Sequence, residues 1–250
     1  MTDAHCHVSC GNPSVREFLI GRDFVGVHPW ESSDDSAALG RLGGREGLET
    51  WLRGLLEANL NLGVGEIGLD RLKAREIPAT MRAVFEAQLR VAMELGRPVV
   101  LHGAKCWGQV VQTIRRLTPT PQIPTPKTST LPPSQTPKPP LPHTFLFHGF
   151  SRSDGLIPDM VALGGYISVG PAVLNDHAVN YRALVKKIPL ERLLVETDRD
   201  NAPETVLNPV TGAPLSVRDV LAKTAELRGL DVAELEAITD ANARAFYRGT

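Results

Sequence analysis

The chain has 250 residues, 42% hydrophobic and 22% charged, with a formal net charge of -1. That length suits one α/β barrel of about 250 residues or two small domains. The composition excludes a collagen, a coiled coil and a wholly disordered chain. The balanced charge gives no global basic footprint for wrapping long duplex DNA. No run of 18 apolar residues and no basic-then-apolar leader stands in the sequence, so neither a membrane-spanning helix nor a secretory signal is predicted. Three cysteines, Cys6, Cys10 and Cys106, read as free thiols of a reducing cytoplasm, not as a disulfide framework.

In chain order, Met1 to Val8 and Phe24 to His28 read as short strands, the second stopped by Pro29. Leu48, Trp51, Leu52, Leu55 and Leu56 recur at helical spacing. Asn61 to Ile67 is a strand whose Gly63 and Gly65, with Gly68 just beyond, permit close backbone approach. Met81 to Leu95 is a helix that Gly96 can end in a left-handed cap. Arg97 to His102 is a buried strand, and Trp107 to Leu117 the next helix. Further strands follow at Thr144 to Phe147, Tyr166 to Val169 and Arg192 to Val195. Ser216 and Asp231 are N-cap candidates for two final helices, Asp231 with Glu234 at capping-box spacing. Strands alternating with helices predict parallel β-α-β units. The seven strands fall one short of a barrel and leave an open doubly wound sheet as the other solution.

Residues 118–142 break this pattern. Ten of the 20 prolines lie between Pro119 and Pro142, among many Thr and Ser, with no glycine and no acid. Such a segment buries too little apolar surface to offset its chain entropy and is expected to be a disordered, polyproline-like insertion within a single domain spanning 1–250. Lying between a helix and a strand, it belongs on the face of strand N-termini. Its PxxP matches, Pro121 to Pro124 and Pro137 to Pro140 among them, are a weak signal for a proline-recognising partner.

The chemistry-bearing residues sit at strand ends. His5 and His7 are two apart on the first strand, so both imidazoles share a face and Cys6 points away into packing. Glu66, His102, His148 and Asp198 close later strands. Active sites of parallel barrels lie at that end. Four imidazoles and two carboxylates suffice for two divalent ions that share a bridging carboxylate.

Several motifs recur in a familiar order: Asp-Ala-His-Cys-His at 3–7, Gly-Val-His-Pro-Trp at 26–30 and Gly-Glu-Ile-Gly-Leu-Asp at 65–70. Gln88, Arg97-Pro98, His148-Gly-Phe-Ser with Ser153, Glu196-Thr-Asp198 and Asn242 through Phe246 continue the order. On these the sequence resembles the TatD family of metal-dependent hydrolases, whose better-known members are deoxyribonucleases. The resemblance implies a TIM-type (β/α) barrel and two divalent ions, Mg²⁺, Mn²⁺ or Zn²⁺. His5, His7, Glu66 and Asp198 would hold one ion; Glu66, His102 and His148 would hold the other, with Glu66 bridging. The substrate implied is DNA or another phosphoester, bound at ends or single strands and attacked by an activated water whose proton Asp198 can take. His28 stands as a phosphate contact or as a shaper of its loop. The amidohydrolases share the H-x-H barrel, and many bridge their metals with a carbamylated lysine; Glu66 at that strand favours the TatD reading.

Three departures set further expectations. Only eighteen residues separate His7 from Gly26, so the barrel is expected to lack one βα unit or to close around a distorted Val15–Ile20 segment. Lys105 stands one position beyond the family's phosphate-binding arginine and offers only a point charge. Arg199 follows Asp198 where proline is usual two positions on, either as a phosphate ligand or as a solvated loop charge. Two other functions stay open at this level: a non-nuclease hydrolase of phosphomonoesters, lactones or amides, and a catalytically weak adaptor that uses the proline-rich segment.

Overall fold

Every residue of Gly63–Asp70 (β4) is buried, the pattern of a strand covered on both faces. β4 is the longest strand of a computed structural model that describes residues 1–32, 37–72, 76–118, 143–151 and 154–247. Phe24–Val25 (β3), β4, Val99–Ala104 (β5), Phe145–Phe147 (β6), Gly165–Val169 (β7) and Leu193–Val195 (β8) form one six-stranded sheet in sequence order. Thr2–Cys6 (β1) and Arg16–Leu19 (β2) form a second sheet, and all pairings are parallel. A parallel bridge from Ile20 to Phe24 joins the two sheets on one side. On the other side the Asp198 N–H donates to the His5 carbonyl (3.0 Å) and the His7 N–H to the Arg199 carbonyl (2.8 Å). Asp3 reinforces this seam, accepting from the Thr197 N–H (3.0 Å) and hydroxyl (2.6 Å).

Among the described residues the strands therefore number eight, not seven. Of the two expectations, the loss of a whole βα unit is corrected, because the Val15–Ile20 segment named by the other supplies β2; among the described residues no helix stands on either side of it. β1 runs to β2 through a loop without a helix, and Gly21 (φ +88°) turns β2 into β3 within four residues.

Helices Ala37–Arg41 (α1), Gly44–Ala58 (α2), Ala79–Glu94 (α3), Trp107–Leu117 (α4), Ile157–Ala162 (α5), Val179–Val185 (α6), Val217–Arg228 (α7) and Val232–Tyr247 (α8) follow the strands. α2 buries Leu48, Leu52 and Leu56, one stripe at helical spacing. Gly96 adopts the left-handed conformation just past α3 (φ +65°). Ser216 and Asp219 form a full capping box on α7, and Asp231 Oδ1 accepts from the Ala233 and Glu234 N–H groups of α8.

Two apolar layers result. The larger lies between strands and helices. The smaller takes one residue from each strand but β4, including Phe18, Phe24, Val100, Leu146 and Leu194, and Phe246 of α8 closes it. Phe246 stacks on Phe24 with ring centroids 6.0 Å apart, and Asn242 pins α8 by donating to the Leu190 and Leu193 carbonyls (2.7 and 2.9 Å). Val100, Leu146 and Leu194 face inward, so side chains an even number of residues later share that face. His102, His148 and Asp198 stand at those positions.

Apart from Thr118, which ends α4, the proline-rich insertion expected at 118–142 lies outside the described residues, as does Ser153. No helix among the described residues is long and apolar enough to cross a membrane.

Candidate metal centre

Glu66 is the hub. Its carboxylate is almost wholly buried, and its two oxygens face different groups of imidazoles. Oε2 lies 3.4 Å from His5 Nε2 and 3.4 Å from His7 Nε2. Asp198 Oδ1 completes that side, 3.3 Å from His5 Nε2 and 3.8 Å from His7 Nε2. Oε1 lies 2.5 Å from His102 Nδ1, 2.7 Å from His148 Nε2 and 3.5 Å from His28 Nε2. All six residues expected as metal ligands thus converge, and His28 joins them.

The local fold explains the convergence. His5 lies one residue before the end of β1 and His7 just past it, while His28, His148 and Asp198 lie just beyond β3, β6 and β8. Gly68 lets β4 approach β5, since a Cβ there would stand 2.0 Å from the His102 carbonyl oxygen. Asp198 takes a left-handed backbone (φ +48°) held by its N–H bond to His5, which turns its carboxylate into the mouth. Aspartate tolerates that conformation better than most residues. Cys6 points the other way, its buried thiol near the Phe18 carbonyl.

The donors on the His5 side fit a divalent ion. Ligands about 2.0–2.1 Å from an ion stand roughly 3.3–3.4 Å apart on a tetrahedron. The His5, His7, Glu66 and Asp198 atoms keep nearly those separations. Both ring nitrogens of His5 are buried without a hydrogen-bond partner among the described residues, a costly state that coordination relieves. Electrostatics agree. Burial opposes ionisation of Glu66, but the charge and hydrogen bonds of His148, with His102 and His28, hold its carboxyl well below the usual range. Burial and His148 work to lower the His5 pKa, while the nearby carboxylates of Asp198 and Glu66 raise it to about 9. A site that gathers protons so strongly exchanges them for cations.

Three acidic residues behind the ligands escaped the sequence reading. Asp70 Oδ2 lies 3.0 Å from His102 Nε2 and accepts the Trp30 indole N–H at 2.7 Å. Glu196, wholly buried, accepts the Gly149 N–H at 2.7 Å and lies 3.8 Å from His148 Nδ1. Asp3 is pushed up to about 7 by burial against its Thr197 hydrogen bonds. Period-two spacing from Glu66 through Gly68 to Asp70 is a signal that could have found the first. Glu196 and Asp3 stand inside the motifs Glu196-Thr-Asp198 and Asp-Ala-His-Cys-His, but their spacing assigns them no role of their own.

The two charged residues expected at the substrate diverge. Lys105 is exposed at the end of β5, with a left-handed backbone (φ +56°). Arg199 is a correction. It is 1% exposed, with Nη2 2.7 Å from Glu17 Oε1 and Nε donating to the Val8 carbonyl at 3.0 Å. It is neither a solvated loop charge nor open to a phosphate, because its partner Glu17 sits on β2.

Parallel strands whose C-terminal ends carry clustered imidazoles and carboxylates define a metal-dependent hydrolase. The TatD-related DNase family profile matches residues 21–248, and the chain belongs to that family. It is 29% identical over 235 residues to the 3'-5' ssDNA/RNA exonuclease TatD of Edwardsiella piscicida, covering 90% of this chain and 76% of that protein. It is 30% identical over 233 residues to the exonuclease of the same name from Cronobacter sakazakii, covering 89% and 75%. In fold it is similar to the TatD homologue YJJV of Escherichia coli K12 (TM-score 0.65, 24% identity, 95% of this chain and 78% of that one). The organophosphorus hydrolase of Deinococcus radiodurans shares the fold more distantly (TM-score 0.58, 17% identity, 93% and 71%).

Proposed function

We propose that this protein is a two-metal phosphodiesterase that removes nucleotides from the ends of single-stranded DNA or RNA. The observation that carries the reading is the division of Glu66, with one carboxylate oxygen toward His5 and His7 and the other toward His102 and His148. A bridging carboxylate needs that division. His5, His7, Glu66 and Asp198 would hold one divalent ion, and Glu66, His102 and His148 the second, as Mg²⁺, Mn²⁺ or Zn²⁺. When bound, such a pair supplies charge neutralisation at a phosphate and lowers the pKa of a water between the ions.

The chain's own residues supply the rest. Asp198 is the half-exposed carboxylate of the cluster and can accept the proton of the attacking water. His28 Nδ1 accepts the Trp30 N–H (3.2 Å), which turns Nε2 toward the cluster and within reach of a phosphate oxygen. Lys105 offers a mobile positive charge to the same phosphate. The relatives that bear the exonuclease name support a nucleic-acid substrate.

The test is incubation of a 5'-labelled single-stranded oligonucleotide with the protein and Mg²⁺, Mn²⁺ or Zn²⁺. Stepwise shortening from the 3' end is expected, and His102→Ala should abolish it. No shortening with any of the three ions, or full activity in the variant, overturns the proposal.

A further inference from the structure

Trp30 presents a large apolar surface at the site's mouth. It is 55% exposed, where tryptophan is usually mostly buried, and it is tied down at its edge by the indole N–H bond to Asp70 (2.7 Å). The other oxygen of Asp70 accepts the backbone N–H of Leu72 at 2.5 Å, and Leu72 is equally exposed. One buried carboxylate thus fixes two apolar groups beside the metal ligands.

The indole centroid lies 4.9 Å from the His28 ring and 6.4 Å from the His102 ring. Neither imidazole stacks flat on it, the planes meeting at 79° and 73°. His28 in turn reaches Glu66 Oε1 at 3.5 Å. A flat group linked by a short spacer to a phosphate on the ions would therefore meet the indole. A nucleobase one sugar away from the scissile phosphate has that form.

We infer that Trp30, anchored by Asp70 and flanked by Leu72, is the stacking platform for the nucleobase next to the bond that is cut. The inference rests on the nucleic-acid reading above and adds how a strand is gripped through its bases. Stacking tolerates every base, so the platform selects unpaired bases over duplex without selecting sequence. The hydrogen bonds that run from Trp30 through Asp70 to His102 couple the base's position to a metal ligand.

The experiment compares a dye-labelled single-stranded oligothymidylate with a dye-labelled abasic strand of equal length, by anisotropy titration in the presence of a divalent ion, with intrinsic tryptophan fluorescence of the wild type as a second readout. Trp107 is buried and Trp51 half-buried, so Trp30 should dominate quenching by a stacked base. For the base-bearing strand, Trp30→Ala should raise Kd roughly 5- to 100-fold and remove the quenching. Trp30→Phe should restore most of the affinity, and the abasic strand should bind all three proteins alike. Equal losses for both strands in Trp30→Ala, or no loss for either, overturns the inference alone. Failure of the wild-type protein to bind either strand overturns the nucleic-acid reading and the platform with it.

Discussion

Replacing Glu17 by alanine removes the carboxylate that faces the Arg199 guanidinium at 2.7 Å, in a place closed to water. The same carboxylate accepts the Ser9 hydroxyl (2.5 Å) and the Cys10 N–H (2.7 Å). Glu17 and Arg199 therefore hold the helix-less loop after β1, together with the Arg199 carbonyl that accepts the His7 and Val8 N–H groups (2.8 and 3.0 Å). Breaking a buried pair by removing one partner costs about 3–5 kcal/mol, since a charge is left without compensation. For a chain of this size that lowers Tm by about 6–20 °C, at roughly 2–4 °C per kcal/mol. Removing both partners together, as Glu17→Leu with Arg199→Met, should cost much less than the sum of the single changes. Urea and thermal unfolding of the two single variants and the double variant measure this directly. A loss below about 1 kcal/mol for Glu17→Ala, or simple additivity in the double variant, would refute the assignment of this pair as the brace of the loop.

Two further outcomes are expected. Burial works to raise the Glu17 pKa, but bonds from Ser9 and Cys10 and the Arg199 charge hold it below the usual value, so its stabilisation is present above the ordinary carboxylate range and is lost as pH falls through the lowered folded value; wild type should lose more stability than Glu17→Gln on acidification, and equal acid losses would contradict this. Asp70→Asn removes the carboxylate behind His102 and should weaken binding of one of two metal ions about 10- to 100-fold, read by calorimetric titration, whereas unchanged affinity for both would remove Asp70 from the support of that site.

Much of the site was legible because strand geometry makes it local. His5 and His7 share a face by spacing alone, and His102 and His148 each end an apolar run that can only be a buried strand. Glu66 was legible from its motif, between glycines that close packing requires. What escaped depends on partners distant in sequence. β2 was obscured by Arg16 and Glu17, which read as a polar surface until Glu17 meets Arg199, 182 residues away. For the same reason Arg199 looked solvated. Asp70 lay in plain view in Gly-Glu-Ile-Gly-Leu-Asp, but its role depends on Trp30, forty residues earlier, and on His102. Short connections hid the eighth strand, because parallel neighbours ordinarily need a crossover of a dozen or more residues and β2 to β3 has a four-residue turn.

On the proposed reading Glu66 joins two metal sites into one centre, which metal stoichiometry measures. Wild-type protein stripped of metal and titrated with Mn²⁺ or Zn²⁺ should bind two ions per chain with release of protons. Glu66→Gln should weaken both sites together, because the shared negative charge is lost and one of the two oxygens becomes an NH2 that cannot ligate. A single ion per chain in the wild type, or a Glu66→Gln variant that still binds two ions at wild-type affinity, would contradict the account.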